Sequence, residues 1–287
     1  SQQERRRALL AGDSDTSPKS AGMIITIFGA KGGIGKTTTA INLASAFVAI
    51  NAGSAVVVDM DTVFGDVAMM MDIPVEGSLV DAADKVDELD RESIGSYLGR
   101  HSSGVRVLPA PFEPTDWRNV SPDAVEKVLT LLSQTHDFVI LDCPATFTDL
   151  VAVALDKATV VLLLTSLDIT SIKDTTTALK LLSNGMNTQE KIKLVINRAT
   201  NVNSVGEADV SKVLRREVVW SVPHDAEISA SLQLGTPVVI DRPLSAVSET
   251  IREMAAMLAG VEVTHGGNGR DTRPAETGIL SRLFKRE

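Results

Sequence analysis

Residues Met23–Phe47 read "MIITIFGAKGGIGKTTTAINLASAF": a β-branched run, a glycine-rich turn and an apolar helical stretch in immediate succession. This order decides the fold, because strand, loop and helix in that sequence are what a phosphate cradle requires. Gly32, Gly33 and Gly35 let backbone N–H groups turn inward with no Cβ in the way. The N-terminus of the following helix adds partial positive charge. Lys36 is placed to reach the β- and γ-phosphates of a nucleotide, and the Thr37 hydroxyl to ligate Mg²⁺. The cradle runs from Ala30 through Lys31, Gly32, Gly33, Ile34, Gly35, Lys36 and Thr37 to Thr38. Ala30 stands where such motifs usually open with glycine, and its side chain is small enough to be tolerated. A phosphate loop needs one lysine, which Lys36 supplies, so Lys31 calls for a separate reason.

Working outward, short apolar runs alternate with helical stretches to about residue 260. "SAVVVDM", "VRVLPA", "DFVILD", "TVVLLLT", "IKLVIN" and "VVWSVP" join "MIITIF" as buried strands. Their near-continuous apolar character suits a sheet covered on both faces. Helices are expected over 37–50, 121–134, 171–184, 225–234 and 245–259, with Ser121 as an N-cap before Pro122 at the first helical position. The alternation predicts an α/β fold, a doubly wound and mostly parallel sheet with helices on both faces. Residues 22–260 would form this nucleotide-binding domain. Residues 1–21, which begin at Ser1 and include "ERRRALL", read as a linker or tail or as the remnant of an upstream domain. Residues 261–277 read as a flexible polar linker, and 278–287 as a separate short element.

Composition narrows the function classes. No apolar run approaches the roughly 18 residues that span a bilayer, which predicts a soluble protein. The single cysteine, Cys143, excludes an intrachain disulfide and a CxxC pair, and fits a reducing cytosol. The four histidines have no metal-ligand spacing. A net charge of −9 with 3% aromatics argues against nucleic acid as a partner.

Acidic residues stand at the ends of predicted strands, where an open α/β sheet gathers its ligand-binding groups. Asp142 in "FVILDCPA" has the setting of a carboxylate that holds Mg²⁺. Asp59 in "VVVDMDTVFGD" is a candidate to share that role. Asp61 points the same way only if the strand continues, and is a candidate to orient the attacking water.

"KGGIGKTT", with a lysine ahead of the two glycines, resembles the deviant phosphate loop of the MinD/ParA class of P-loop ATPases, and the resemblance runs from about Met23 to Gly260. It implies that Lys31 reaches across a dimer interface to the partner's ATP, so that two subunits sandwich two nucleotides and ATP acts as dimer glue. It further implies that Asn197 contacts adenine with Arg198 alongside, that Pro223 and His224 lie near the base, and that Asp61 serves hydrolysis. "DMDTVFGDVAMMMDIP" and "DCPATFTD" are most similar to the CpaE/TadZ branch, pilus-assembly localisation ATPases.

The C-terminal "GILSRLFKRE" resembles the membrane-targeting tail of MinD. On a helical wheel Ile279, Leu280, Leu283 and Phe284 fall in one apolar arc, with Ser281, Arg282, Lys285 and Arg286 opposite. Full burial of the four apolar side chains gives at most roughly 6–12 kcal/mol. Ordering so short a helix removes most of that, so one copy binds weakly and two copies in a dimer bind with avidity. Self-docking, a protein partner and plain disorder are the other readings of this segment. The sequence thus predicts a slow, partner-stimulated ATPase that dimerises with ATP and Mg²⁺ and binds the anionic inner face of the cell membrane reversibly from the cytoplasm. In that state it would position a membrane machine. The alternative is a ParA-like DNA-partitioning ATPase, with Arg198, Lys212, Arg215 and Arg216 as a basic patch.

Overall fold

The computed structural model describes residues 21–111, 120–183, 190–199 and 205–261. The expectations for the N-terminal 1–20 and for the C-terminal segment with Ile279, Leu280, Leu283 and Phe284 lie outside the described residues. Eight strands among the described residues form one sheet: β1 (Met23–Phe28), β2 (Ala55–Asp59), β3 (Gly99–Arg100), β4 (Arg106–Leu108), β5 (Phe138–Asp142), β6 (Val160–Thr165), β7 (Ile192–Ala199) and β8 (Val218–Pro223). Their order is β3-β4-β2-β5-β1-β6-β7-β8, and every pairing is parallel except the short β3–β4 edge. The chain leaves central β1 towards β2 on one side and later returns past it to β6 on the other. The carboxyl end of β1 is therefore a topological switch point, where open α/β sheets open a crevice.

The helices are α1 (Lys36–Ala49), α2 (Val67–Met70), α3 (Leu79–Asp84), α4 (Pro122–Thr135), α5 (Asp149–Lys157), α6 (Ile169–Ser183), α7 (Glu207–Leu214), α8 (Glu227–Gln233), α9 (Val238–Asp241) and α10 (Ala246–Ala259). None of the described helices is long and apolar enough to cross a membrane. Side chains alternate across each strand. Ile24, Val56, Val58, Val139 and Leu141 face a core shared with α3, α4, α5, α6 and α7. Ile25, Ile27, Val57, Ile140 and Leu162 face a second core shared with α1, α9 and α10. Central β2, β5 and β6 are buried on both faces, which is why they read as unbroken apolar runs.

Helix α1 begins at Lys36 itself, directly on the glycine loop. It is buried on nearly all sides, and Asn42 is fixed inside it by accepting the Val239 N–H and donating to the Thr38 carbonyl. The helix that carries the loop is thus clamped between the sheet and the C-terminal helices. Ser121 does precede α4 with Pro122 at its first turn, but its hydroxyl makes no cap hydrogen bond. Short β3, α2, α3 and α9, and the longer α5 and α7, were not among the elements expected from the sequence.

Candidate functional site

The nucleotide- and metal-site residues named from the sequence within the described region lie at the carboxyl ends of the strands, whereas Lys212, Arg215 and Arg216 of the basic patch lie on and after α7, ahead of the amino end of β8. The glycine loop follows β1, Asp59 ends β2, Asp142 ends β5, Asn197 lies near the end of β7, and Pro223 closes β8. Parallel register sets Asp142 beside Ile27 on one side and beside Asp59 on the other. Two carboxylates are thereby delivered next to the start of α1, with Asp59 1% and Asp142 4% exposed.

These carboxylates are not equivalent. Asp59 Oδ1 accepts from the Asp61 N–H at 3.1 Å and Oδ2 from the Val67 N–H at 3.1 Å. Both oxygens are committed to the loop that leads into α2. Gly65 belongs to the same arrangement, since a Cβ there would stand 2.4 Å from Asp59 Oδ2 and from Ala110 Cβ. Asp142, by contrast, keeps Oδ1 buried with no hydrogen-bond partner. An orphaned buried carboxylate oxygen is costly unless a cation or donor arrives. Burial, helped by the charges of Asp61 and Asp66, pushes the Asp142 carboxyl up to about 7 against the Thr37 hydroxyl and the Lys36 ammonium, which hold it down. Burial likewise raises Asp59 well above the usual carboxylate range, helped by the charge of Asp142.

The residues present fit Mg²⁺ and a triphosphate. Asp142 has the free oxygen and Thr37 stands beside it; Lys36 brings the positive charge. Gly35 has φ +94°, a left-handed conformation that L side chains avoid. Thr37 and Asp142 would hold the metal, which would supply charge neutralisation on the outer phosphates. Asp59 organises the neighbouring loop instead of offering a free oxygen.

Asp61 departs from its expected geometry. Strand β2 ends at Asp59, so strand alternation does not aim Asp61. Its Oδ1 accepts from the Val63 and Phe64 N–H groups at 3.3 and 3.0 Å, an Asx turn of its own loop. It lines a cavity of about 360 Å³ with Thr62, Pro144 and Asp149.

Lys31 does not turn in towards its own cradle. Its Nζ lies 2.8 Å from Asp168 Oδ1 and 2.8 Å from Thr170 Oγ1, at the start of α6. Desolvation of Asp168 is outweighed by hydrogen bonds from Lys31, Ser166, Thr170 and the Ser171 N–H, which hold its carboxyl well below the usual range. Lys31, Asp168 and Arg198 line an open cavity of about 430 Å³ beside Gly32, Gly33 and Ile34. Asp168, Ser166 and Thr170 were not foreseen; the available signal was "SLDITS" directly after a buried strand, a polar cluster at a strand end. The rim of this face also carries apolar groups: Phe64 is 80% exposed, Ile169 76% and Phe147 41%.

Asn197 is buried, and its amide nitrogen donates to the Ile34 carbonyl at 2.8 Å. Arg198 beside it has φ +55°. Pro223 is half-buried at the end of β8, and exposed His224 donates its backbone N–H to the Ala199 carbonyl. The strand ends thus bring Asn197, Arg198, Pro223 and His224 to one side of the glycine loop. No group of three or more metal-ligating side chains of the His, Cys, Asp and Glu types occurs among the described residues.

Residues 25–238 match the family described as CobQ/CobB/MinD/ParA nucleotide binding domain. The chain is 30% identical over 241 residues to an uncharacterised ATP-binding protein of Methanocaldococcus jannaschii, covering 83% of this chain and 88% of that one. It is 27% identical to the septum site-determining protein MinD of Bacillus subtilis, covering 84% and 91%. Among solved structures, a ParA family ATPase from Chlorobium tepidum superposes with a TM-score of 0.77 at 23% identity, covering 83% of this chain and 99% of that one.

Proposed function

Since the chain belongs to the CobQ/CobB/MinD/ParA nucleotide-binding family of P-loop ATPases, we propose that it is an ATP-dependent dimerising switch that binds membrane reversibly and positions a membrane-associated machine. The observation that carries this reading is the position of Lys31. A loop that already has Lys36 beside Asp142 holds a second lysine away from its own cradle, on an open rim, by an ion pair with Asp168. The pair is about two-fifths exposed on each side, so it contributes little to the fold and is easily exchanged for a stronger anion. The γ-phosphate of a nucleotide in a second copy is such an anion. Exposed Phe64, Phe147 and Ile169 on the same rim give that second copy apolar surface to cover.

ATP then joins two subunits, and hydrolysis weakens the joint. Pairing also doubles the C-terminal tails, whose basic and apolar arcs suit anionic lipid. The similarity to septum-site proteins supports a division- or assembly-positioning role. The "DTVFGD" segment supports the pilus-assembly branch in particular, although nothing in the fold singles that branch out. An unidentified protein partner would stimulate hydrolysis or be the cargo.

The test is pelleting with anionic liposomes under ATP, ADP and no nucleotide, for the intact chain and for a chain ending at Thr277. The expected result is pelleting of the intact chain with ATP alone. Equal pelleting of both chains would exclude the tail as the anchor, and equal pelleting under all nucleotides would exclude the coupling. Nucleotide-dependent binding to duplex DNA in place of liposomes would favour the partitioning reading.

A further inference from the structure

We infer that Asn197 is a positioning residue of the phosphate cradle: its side-chain amide sets the orientation of the Ile34–Gly35 peptide and thereby the direction of a phosphate-binding N–H group. The inference rests on the reading of the glycine loop as a nucleotide site. It goes beyond a contact with the base, the role implied by sequence resemblance.

The local structure is built to bring this amide to the loop. Where β7 pairs with β8, Ile196 lies opposite Ser221 and Ala199 opposite Pro223, so an extra residue is taken up on β7 between them. Arg198 takes a left-handed conformation at φ +55° within that irregularity. Bulges of this kind re-aim side chains at sheet ends. The result is a buried hydrogen bond of 2.8 Å between Asn197 Nδ2 and the Ile34 carbonyl, spanning 163 residues of sequence.

That carbonyl belongs to a rigid unit. A trans peptide is planar, with its C=O and N–H directed oppositely, so fixing the Ile34 oxygen fixes the Gly35 N–H on the side away from Asn197. Ile34 is itself anchored in the core at 4% exposure, and Gly35 sits at φ +94°. The fit leaves no slack: a Cβ on Gly35 would stand 2.4 Å from Asn197 Nδ2. Glycine at this position thus satisfies two demands, the left-handed backbone and the close approach of the amide. Without Asn197 the buried Ile34 carbonyl loses its donor, and the peptide is free to rotate towards another one.

Calorimetric titration of the intact chain with Mg-ATP and with Mg-tripolyphosphate, a base-free probe, tests this. The variants are Asn197→Ala, which removes the donor, and Asn197→Asp, which keeps the shape but sets an acceptor against the Ile34 oxygen. Thermal melts of the free proteins accompany both. The expected result is cooperative melting of both variants with affinity for both ligands reduced about tenfold. Agreement between the uncharged and charged variants separates the effect from simple repulsion of phosphate. Loss of ATP affinity with unchanged tripolyphosphate affinity would overturn the proposal and leave Asn197 as a base contact. Unchanged affinity for both ligands, or failure of both variants to fold, would also overturn it, the latter making Asn197 a packing residue. A wild-type chain that binds neither ligand overturns the nucleotide reading itself. One that binds ATP but not tripolyphosphate overturns only the inference about Asn197.

Discussion

The two lysines of one loop sit in opposite surroundings. Lys36 opens a nearly buried helix next to the orphaned carboxylate of Asp142. Lys31 sits on an open rim, paired with a carboxylate that is 42% exposed. The inner environment holds a buried carboxylate oxygen without a hydrogen-bond partner, so it pulls in a ligand. The outer one is wet and balanced, so it can let its partner go. Binding nucleotide and responding to nucleotide are thus separate properties of one glycine-rich turn.

The largest effect that would break this contrast is expected at the inner lysine. Lys36→Ala should lower Mg-ATP affinity by about a hundredfold or more, because charge-assisted contacts to phosphate have no substitute there. Retained affinity in a titration would mean that the inner half is not the phosphate site.

Next in size is Asp142. Its folded-state carboxyl is raised to about 7 from the ordinary carboxylate range, so the stability it contributes is full below about pH 4 and is lost as pH rises through about 7. The nucleotide-free chain should therefore melt lower at pH 8 than at pH 5. Asp142→Asn should make that decline shallower, with buried Asp59 still contributing to it, and raise the pH 8 melting temperature by several degrees, while weakening Mg²⁺-dependent ATP binding. An unchanged melting temperature at pH 8 would contradict the strained inner environment.

Gly35→Ala comes third, with a cost of about 1–3 kcal/mol for the left-handed backbone, read from the melting transition. Smallest is Asp168→Asn. The exposed pair it breaks should change stability by less than about 1 kcal/mol. A larger loss would make Lys31–Asp168 a structural clamp and blur the contrast between the two halves.

Much of this was legible in the sequence, for identifiable reasons. "MIITIF" is buried on both faces and matches β1 end to end, and "VVWSVP" matches the bounds of β8, an edge strand buried at alternate residues. The glycine loop is local, and its order of strand, turn and helix survives intact. Most of what escaped was short or distant, with the nine-residue α5 and eight-residue α7 as the longer omissions. Two-residue β3 and four-residue α2 and α9 show about one period of their pattern, too little to recognise. The direction of Asp61 was left to depend on where β2 ends, which propensity cannot locate, and with β2 ending at Asp59 its own turn captures the side chain. The Lys31–Asp168 and Asn197–Ile34 contacts span 137 and 163 residues, and no local signal marks either pair.

The central claim is that Lys31 acts on a second subunit. Sedimentation velocity of the wild-type chain and of Lys31→Ala, each with Mg-ATP, Mg-ADP and no nucleotide, tests it most directly. The expected result is a dimer for wild type with Mg-ATP only, and a monomer for Lys31→Ala under all conditions despite ATP affinity within about threefold of wild type. A Lys31→Ala chain that dimerises with ATP as wild type does would contradict the account.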